Sequence, residues 1–131
     1  MITDPISNML TQIRNALAIR KRELSLPYSN LKFNLAKALE KYGWIGQASA
    51  GGEGPAKLLK LQLKYDDNGE PTITGLSRIS KPGQRIYAKA KLMPRSKLGQ
   101  GVAIVTTSRG LMTSEEARKA KLGGELICEV W

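Results

Sequence analysis

The chain has 131 residues, of which 41% are apolar, and its 21 Lys and Arg against 11 Asp and Glu give a formal net charge of +10. This length suits one domain or two small halves that share an interface, and the apolar content argues against wholesale disorder. Such an excess of positive charge favours a polyanionic partner, with nucleic acid first and an anionic membrane surface second. A solvated surface rich in lysine is the alternative interpretation.

The positive charge is concentrated in one part of the chain. No acidic residue lies between Glu70 and Glu115, a stretch that contains eight cations. These are Arg78, Lys81, Arg85, Lys89, Lys91, Arg95, Lys97 and Arg109. Because no carboxylate lies near them in sequence, the pattern predicts a positive field rather than a set of local salt bridges.

Several classes of function are disfavoured by what the chain lacks. It has no histidine, which removes His-based catalysis and imidazole metal sites. Because the chain has a single cysteine, Cys128, it can form neither an intrachain disulfide nor a cysteine zinc site. A lone thiol fits a reducing compartment, and we interpret Cys128 as a small core residue. No apolar run approaches the roughly 20 residues of a membrane span, and the first residues lack a signal-peptide pattern. We therefore expect a cytosolic protein with no membrane partner, no metal and no cofactor.

The first half of the sequence predicts the order helix, strand, helix, strand, strand. Asp4 and Pro5 are typical of a helix start, and an apolar face at helical spacing follows from Ile6 to Leu17. A short strand over 24–28 precedes a second helix, which Ser29 or Asn30 caps and Gly43 ends. Strands are predicted over 44–50 and 57–65, the second with strict alternation of Leu and polar residues.

The second half predicts mostly strands. We expect them over 73–80, 85–91, 102–107 and 125–131, with a turn at 81–84 and a basic, glycine-containing loop at 94–101. Thr113 and Glu116 form a capping-box pattern that begins a short helix ending near Lys121. The predicted fold class is therefore α+β in two small domains, residues 1–68 and 69–131, the second mostly β with one short helix.

A basic turn is the first candidate binding element. Arg78, Lys81 and Arg85 flank the tight turn between two strands, where cations can meet phosphates. Tyr87 follows and can stack on a base or a ribose, although a half-buried strand aromatic is the alternative.

A cluster of hydroxyls is the second candidate element. Thr106, Thr107 and Ser108 end an apolar strand, and Arg109 adds charge beside them. Hydroxyls both donate and accept hydrogen bonds, so they can meet base edges, 2′-hydroxyls or phosphates, although a turn rich in Ser and Thr is the bland alternative. Residues 123–125 are a turn by default, but Gly124 also permits close approach of RNA and Glu125 can accept from a base amine.

Three functions compete with binding of structured RNA. An enzyme acting on RNA is disfavoured because the acidic residues lie in turns and in a first helical turn, and because no phosphate-binding glycine loop is present. A DNA-binding module lacks an obvious recognition helix. Single-strand binders use aromatic platforms, which this aromatic-poor chain lacks, so recognition of a partly helical RNA by shape and hydroxyl contacts fits better.

The ordered motifs resemble the bacterial small-subunit ribosomal protein S-eight family along essentially the whole chain. They are TDPI at 3–6 with MLT at 9–11 and IRNA at 13–16, then RISKPG at 78–83 with RIY at 85–87, then the stretch 101–113, and finally EAR at 116–118 with GGE at 123–125. The family often has Ser where Thr106 stands, and Thr keeps the hydroxyl. It often has an aromatic where Glu129 stands, so we predict no contact there.

The resemblance implies a structural protein that binds the central domain of small-subunit (16S) ribosomal RNA and supports subunit assembly beside neighbouring ribosomal proteins. Thr106, Thr107, Ser108 and Arg109 would contact an irregular RNA helix, with Gly124 and Glu125 beside them. Tyr87 would pack on the RNA next to the basic turn. The N-terminal domain would add a second contact through its first helix, at Thr3, Pro5, Arg14 and Asn15. Repression of its own operon's messenger RNA is the alternative primary role that the resemblance offers.

Overall fold

A computed structural model describes residues 4–93 and 101–131. Their contacts divide into two compact units, one of residues Pro5–Thr74 and the other of Gly75–Trp131 together with Asp4. Thr3 and nearly all of the basic loop predicted at 94–101 lie outside the described residues. The domain boundary that we predict after residue 68 stays a prediction.

The unit of residues 5–74 has two helices and one antiparallel sheet. Its elements are α1 (Pro5–Ala18), β1 (Glu23–Pro27), α2 (Asn30–Lys41), β2 (Ala48–Gly51) and β3 (Leu58–Gln62), with the strand order β1-β3-β2. The predicted order of helices and strands in this half is confirmed. Ser29 is the cap of α2, since its hydroxyl accepts from the Lys32 amide at 3.2 Å, and Gly43 follows the helix with φ +80°.

Periodicity explains why these elements form. In α1 the apolar residues at helical spacing are all buried, and in β3 Leu59 and Leu61 are buried while Lys60 is exposed. The predicted strand 44–50 is too long at its start, because the chain leaves α2 through Gly43 and pairs regularly only from Ala48. The predicted strand 57–65 is likewise longer than β3.

The described part of the second unit, residues 75–93 and 101–131, has a five-stranded antiparallel sheet and one α-helix. Its elements are β4 (Leu76–Arg78), β5 (Tyr87–Ala88), β6 (Val102–Thr107), β7 (Gly110–Thr113), α3 (Ser114–Lys119) and β8 (Gly124–Val130). The sheet is arranged around β8, which pairs with β6 on one side and with β4 and then β5 on the other, while β7 pairs with β6. The α+β fold class and the mostly-β second half are confirmed.

Two expectations for this half are corrected by the structure. The predicted strand 85–91 is reduced to β5, because residues Ala90–Leu92 form a turn of 3-10 helix instead. Strand β7 was not predicted, since we assigned Thr113 only to the helix cap. Thr113 serves both elements: it ends β7, and its hydroxyl accepts from the Glu116 amide at 3.2 Å in the predicted capping box.

The apolar core of this unit lies between the sheet and α3. Its buried centre is formed by Met93, Val105, Ala117 and Leu126, with Ile86 and Met112 among the residues packed against it. Cys128 is also fully buried, which confirms its interpretation as a core residue, and burial raises the pKa of its thiol to about 12.

Cys128 is therefore expected to resist thiol reagents while the chain is folded. The thiolate is the reactive species, and a pKa of about 12 in place of the ordinary value of 9.0 leaves roughly a thousandfold less thiolate at pH 8. We expect a water-soluble aromatic disulfide to label the native protein far more slowly than the same chain in denaturant. Labelling at equal rates in the two states would contradict burial of this side chain.

Candidate RNA interface

Three predicted site residues lie in one row across the second sheet. Glu125 on β8 is directly opposite Tyr87 on one side and Thr106 on the other. Residues opposite one another in antiparallel strands project from the same face, and the preceding row, Val105 with Leu126, belongs to the core on the other face. Tyr87 is 69% exposed, so it is not the half-buried aromatic of the alternative interpretation.

The hairpin between β6 and β7 carries the cluster of hydroxyls. The Thr107 hydroxyl accepts from the Arg109 amide at 3.1 Å and donates to the Gly110 carbonyl at 2.8 Å, so this side chain holds the turn together. Gly110 closes the turn with φ +100°, a conformation that favours glycine. Ser108 and Arg109 are exposed at the tip, and Thr106 is half-buried at its base. The turn and binding interpretations of this segment are therefore compatible.

The glycine pair fits the sheet closely. A Cβ built on Gly124 would lie 2.1 Å from the Thr106 carbonyl oxygen, and one on Gly123 would lie 2.9 Å from the Ala88 oxygen. Real Cβ atoms do not approach backbone oxygens so closely. These glycines therefore allow β5 and β6 to approach β8 on both sides, which fixes the backbone of Glu125 between its neighbours.

Arg78 is tied into the fold. Its Nε donates to Asp4 Oδ2 at 3.1 Å and its Nη1 donates to the Ile127 carbonyl at 2.7 Å, and its side chain is only 8% exposed. The register between β6 and β8 shifts at this point, leaving Ile127 as an extra residue whose carbonyl Arg78 binds. The structure thus shows Arg78 in a positioning role, and its contact with RNA stays a prediction.

The basic turn is held closed by a serine that sequence reasoning missed. The hydroxyl of Ser80 is fully buried, accepts from the Ile86 amide at 2.8 Å and donates to the Ile86 carbonyl at 3.2 Å. Lys81 and Gln84 exchange two backbone hydrogen bonds of 2.9 Å across the turn. Ser80 stands in the RISKPG motif at 78–83, but no local pattern there marks it as the residue that closes the turn. Lys81 and Arg85 are exposed on this closed loop.

The prediction of an unopposed positive field is wrong for two of the six cations that the structure describes, while Arg95 and Lys97 lie outside the described residues. Arg78 pairs with Asp4 and Arg85 pairs with Glu125 at 3.1 Å, both with acids outside the acid-free stretch. Folding brings these carboxylates to the arginines from 74 and 40 residues away. Sequence distance therefore does not exclude an ion pair.

The predicted contacts of the first helix belong to the other unit. Pro5, Arg14 and Asn15 are exposed on α1, while its buried residues face the core of residues 5–74. The predicted residues from Lys81 to Glu125 therefore share the unit of residues 75–131, whereas Pro5, Arg14 and Asn15 belong to the unit of residues 5–74.

The described residues offer little to other kinds of site. Over 4–93 and 101–131 no group of three or more Cys, Asp or Glu side chains could hold a metal ion. Within the same ranges, no helix has the length and apolar content to span a membrane. The chemistry displayed by the site is hydrogen bonding, stacking and positive charge.

Comparison with known proteins agrees with these features. The family model described as ribosomal protein S8 matches residues 4–131. Proteins named small ribosomal subunit protein uS8 are 48% identical in Thermoanaerobacter sp. (strain X514) and 49% identical in Caldanaerobacter subterraneus subsp. tengcongensis, in each case over 131 residues, 100% of this chain and 99% of the relative. The protein of that name from Staphylococcus aureus (strain JH9) is 48% identical over 130 residues, 99% of this chain and 98% of its own.

These matches place the chain among the ribosomal proteins, a class of structural components and not of enzymes. The chain belongs to the ribosomal protein S8 family, and the match covers both of its units. The resemblance seen in the sequence motifs is thereby confirmed.

Proposed function

We propose that this protein is a structural constituent of the small ribosomal subunit that binds the central domain of 16S ribosomal RNA directly and supports assembly of the subunit platform. Neighbouring small-subunit proteins are its further partners, and it works in the cytoplasmic ribosome. The observation that carries the proposal is the row Tyr87–Glu125–Thr106, in which Tyr87 is exposed and the other two are half-buried, close along β6 to the exposed hairpin tip of Ser108 and Arg109.

The site supports binding in two stages. Lys81 and Arg109 are exposed and contact phosphates, releasing counterions, so affinity depends strongly on salt. Tyr87 then stacks on a base or ribose, while the hydroxyls of Thr106 and Ser108 test the shallow groove of an irregular helix. Protein side chains cannot read the deep, narrow major groove of an RNA helix. Recognition by shape and by hydroxyl contacts in the shallow groove therefore suits a structured RNA.

The remaining predicted residues assist this binding. Thr107 holds the hairpin, Gly124 lets the strands approach one another, and Arg78 fixes the bulge of β8. The second contact is proposed for Pro5, Arg14 and Asn15 on the first helix. Thr3 belongs to the same predicted contact but lies outside the described residues.

Replacing Ser108 with alanine is expected to weaken binding to a central-domain RNA fragment by about 1–3 kcal/mol, the cost of leaving a buried hydrogen-bonding group of the complex without its partner. Ser108 is exposed at the turn, so the variant should unfold at the same temperature as the wild type. Ser77→Ala is the matched control, because Ser77 is an exposed serine on β4 of the same unit. Equal RNA affinity of Ser108→Ala and the wild type would refute the assignment of this hydroxyl.

Repression of its own operon's messenger RNA is a second role, which would use the same surface on a similar RNA helix. Sedimentation of cell extracts through a sucrose gradient separates the two roles. Cofractionation with small subunits is expected for the ribosomal role, and recovery only in free messenger complexes would make repression the primary one.

A further inference from the structure

The ion pair between Arg85 and Glu125 lies inside the proposed RNA surface rather than beside it. Arg85 Nη1 is 3.1 Å from Glu125 Oε2, and Glu125 lies in the row between Tyr87 and Thr106. A carboxylate is an unusual central residue for a surface that binds polyanions, because like charges across an interface oppose association. Its position therefore calls for a physical explanation.

The two members of the pair differ in their access to solvent. The side chain of Arg85 is 50% exposed, whereas that of Glu125 is 14% exposed. The arginine can turn toward a phosphate at little cost, since exposed ion pairs contribute little to stability. The glutamate is largely covered where it lies, and its backbone is held in place because Gly123 and Gly124 let the strands on both sides approach closely. A phosphate that takes Arg85 thus leaves a largely covered carboxylate without its partner.

We propose that Glu125 determines specificity by exchanging its hydrogen-bonding partner. An RNA phosphate binds Arg85 and so takes it from Glu125. Only an RNA with a hydrogen-bond donor next to Glu125 then gives the carboxylate a new partner. Suitable donors are the amino groups of cytosine, adenine or guanine and the ribose 2′-hydroxyl. When the RNA offers only a phosphate, the Arg85–Glu125 ion pair is broken and Glu125 receives no hydrogen bond in its place. Discrimination thus arises from a penalty against the wrong ligand as well as from attraction to the right one.

This inference rests on the proposed RNA-binding function and is tested by Glu125→Gln. The glutamine amide has the shape of the glutamate side chain and still accepts a hydrogen bond, but it carries no negative charge. Phosphate binding to Arg85 therefore no longer leaves a charged group without a partner. We expect the variant to bind a scrambled helix about tenfold more tightly than the wild type does, and to bind the central-domain fragment no more tightly. The ratio of the two affinities should therefore fall by about tenfold or more.

Glu129→Gln is the matched control, because it makes the same charge change on the same strand at a residue that pairs with Ser77 on β4 and with Ala103 on β6, away from the proposed row. It should shift both affinities by one common, small factor. If Glu125→Gln also shifts both RNAs equally, or weakens both, the exchange is refuted. If the wild type itself does not distinguish the two RNAs, the proposed function fails first, which is a different result.

A charge swap separates this role from a structural one. Arg85→Glu combined with Glu125→Arg keeps opposite charges on the two side chains, and its Tm is measured first to show that the larger arginine is accommodated at the largely covered position of Glu125. The doubly substituted chain presents a carboxylate to the incoming phosphate, so affinity for the central-domain fragment should fall about tenfold or more. Wild-type affinity of the swapped protein would show that the pair serves only the fold and would overturn the proposal.

Discussion

Replacing Gly124 with alanine is expected to destabilise the unit of residues 75–131 and to weaken RNA binding together. The added Cβ would lie 2.1 Å from the Thr106 carbonyl oxygen and 2.9 Å from Val105 Cγ1. The first of these neighbours is backbone in the middle of the sheet, so β6 must move away from β8. Overpacking of this kind costs about 1–3 kcal/mol, which corresponds to a fall in Tm of roughly 4 °C or more for a small domain.

The displacement should also reach the RNA surface, because Thr106 begins the turn that presents Ser108. We therefore expect Gly124→Ala to lose more RNA affinity than Ser108→Ala does, measured at a temperature where both variants are folded. Gly83→Ala is the control for stability, since a Cβ there meets nothing within 4 Å. A Gly124→Ala protein with wild-type Tm and wild-type affinity would contradict the close approach of β6 and β8.

Replacing Arg78 with methionine is expected to have a comparably large effect, and on stability. The substitution keeps the length of the side chain but removes the donors that lie 3.1 Å from Asp4 Oδ2 and 2.7 Å from the Ile127 carbonyl, which then accepts only from the Ile79 amide at 3.0 Å. Removing one partner of a largely buried ion pair is strongly destabilising, because the remaining carboxylate loses its counter-charge. Because Asp4 keeps 17% exposure, we expect a loss of about 2–4 kcal/mol, somewhat below the cost for a fully buried pair.

The matched control is Arg85→Met, which makes the same chemical change in the same unit. Its ion pair is half exposed on the arginine side, so the expected loss is below about 1 kcal/mol. Urea unfolding of both variants gives the comparison directly. The double variant Arg78→Met, Asp4→Asn should recover part of the loss, and equal losses from the two arginines would contradict the structural role of Arg78.

Much of the fold could be predicted because its elements carry strong local signals. The apolar face of α1, the alternation in β3 and the capping box of α3 each depend on neighbouring residues, so periodicity and caps identified them. β7 carried no such signal, since it has four residues and exists only by pairing with β6. The predicted strand 85–91 failed for a related reason: its pairing with β8 ends at Ala88.

In the candidate site, too, the features with local sequence signals were predicted and those that depend on tertiary contacts were not. Residue types and motifs indicated Tyr87, the hydroxyl cluster and the glycine pair, but their roles depend on contacts that no local pattern encodes. The sequence suggested that Arg78 and Arg85 were equivalent cations of one turn, whereas the first is buried against Asp4 and the second is exposed beside Glu125. Ser80 was missed because a buried serine that binds its neighbour's backbone has the same sequence signature as any turn serine.

Direct binding to ribosomal RNA is the central claim, and a salt-controlled titration tests it most directly. The purified protein is titrated with a central-domain fragment of small-subunit ribosomal RNA and with a scrambled helix of equal length, at several salt concentrations. We predict tight binding to the first RNA alone, with an affinity that falls steeply as salt rises. Equal affinity for the two RNAs would reduce the protein to a basic chain with general phosphate affinity and would contradict the site described above.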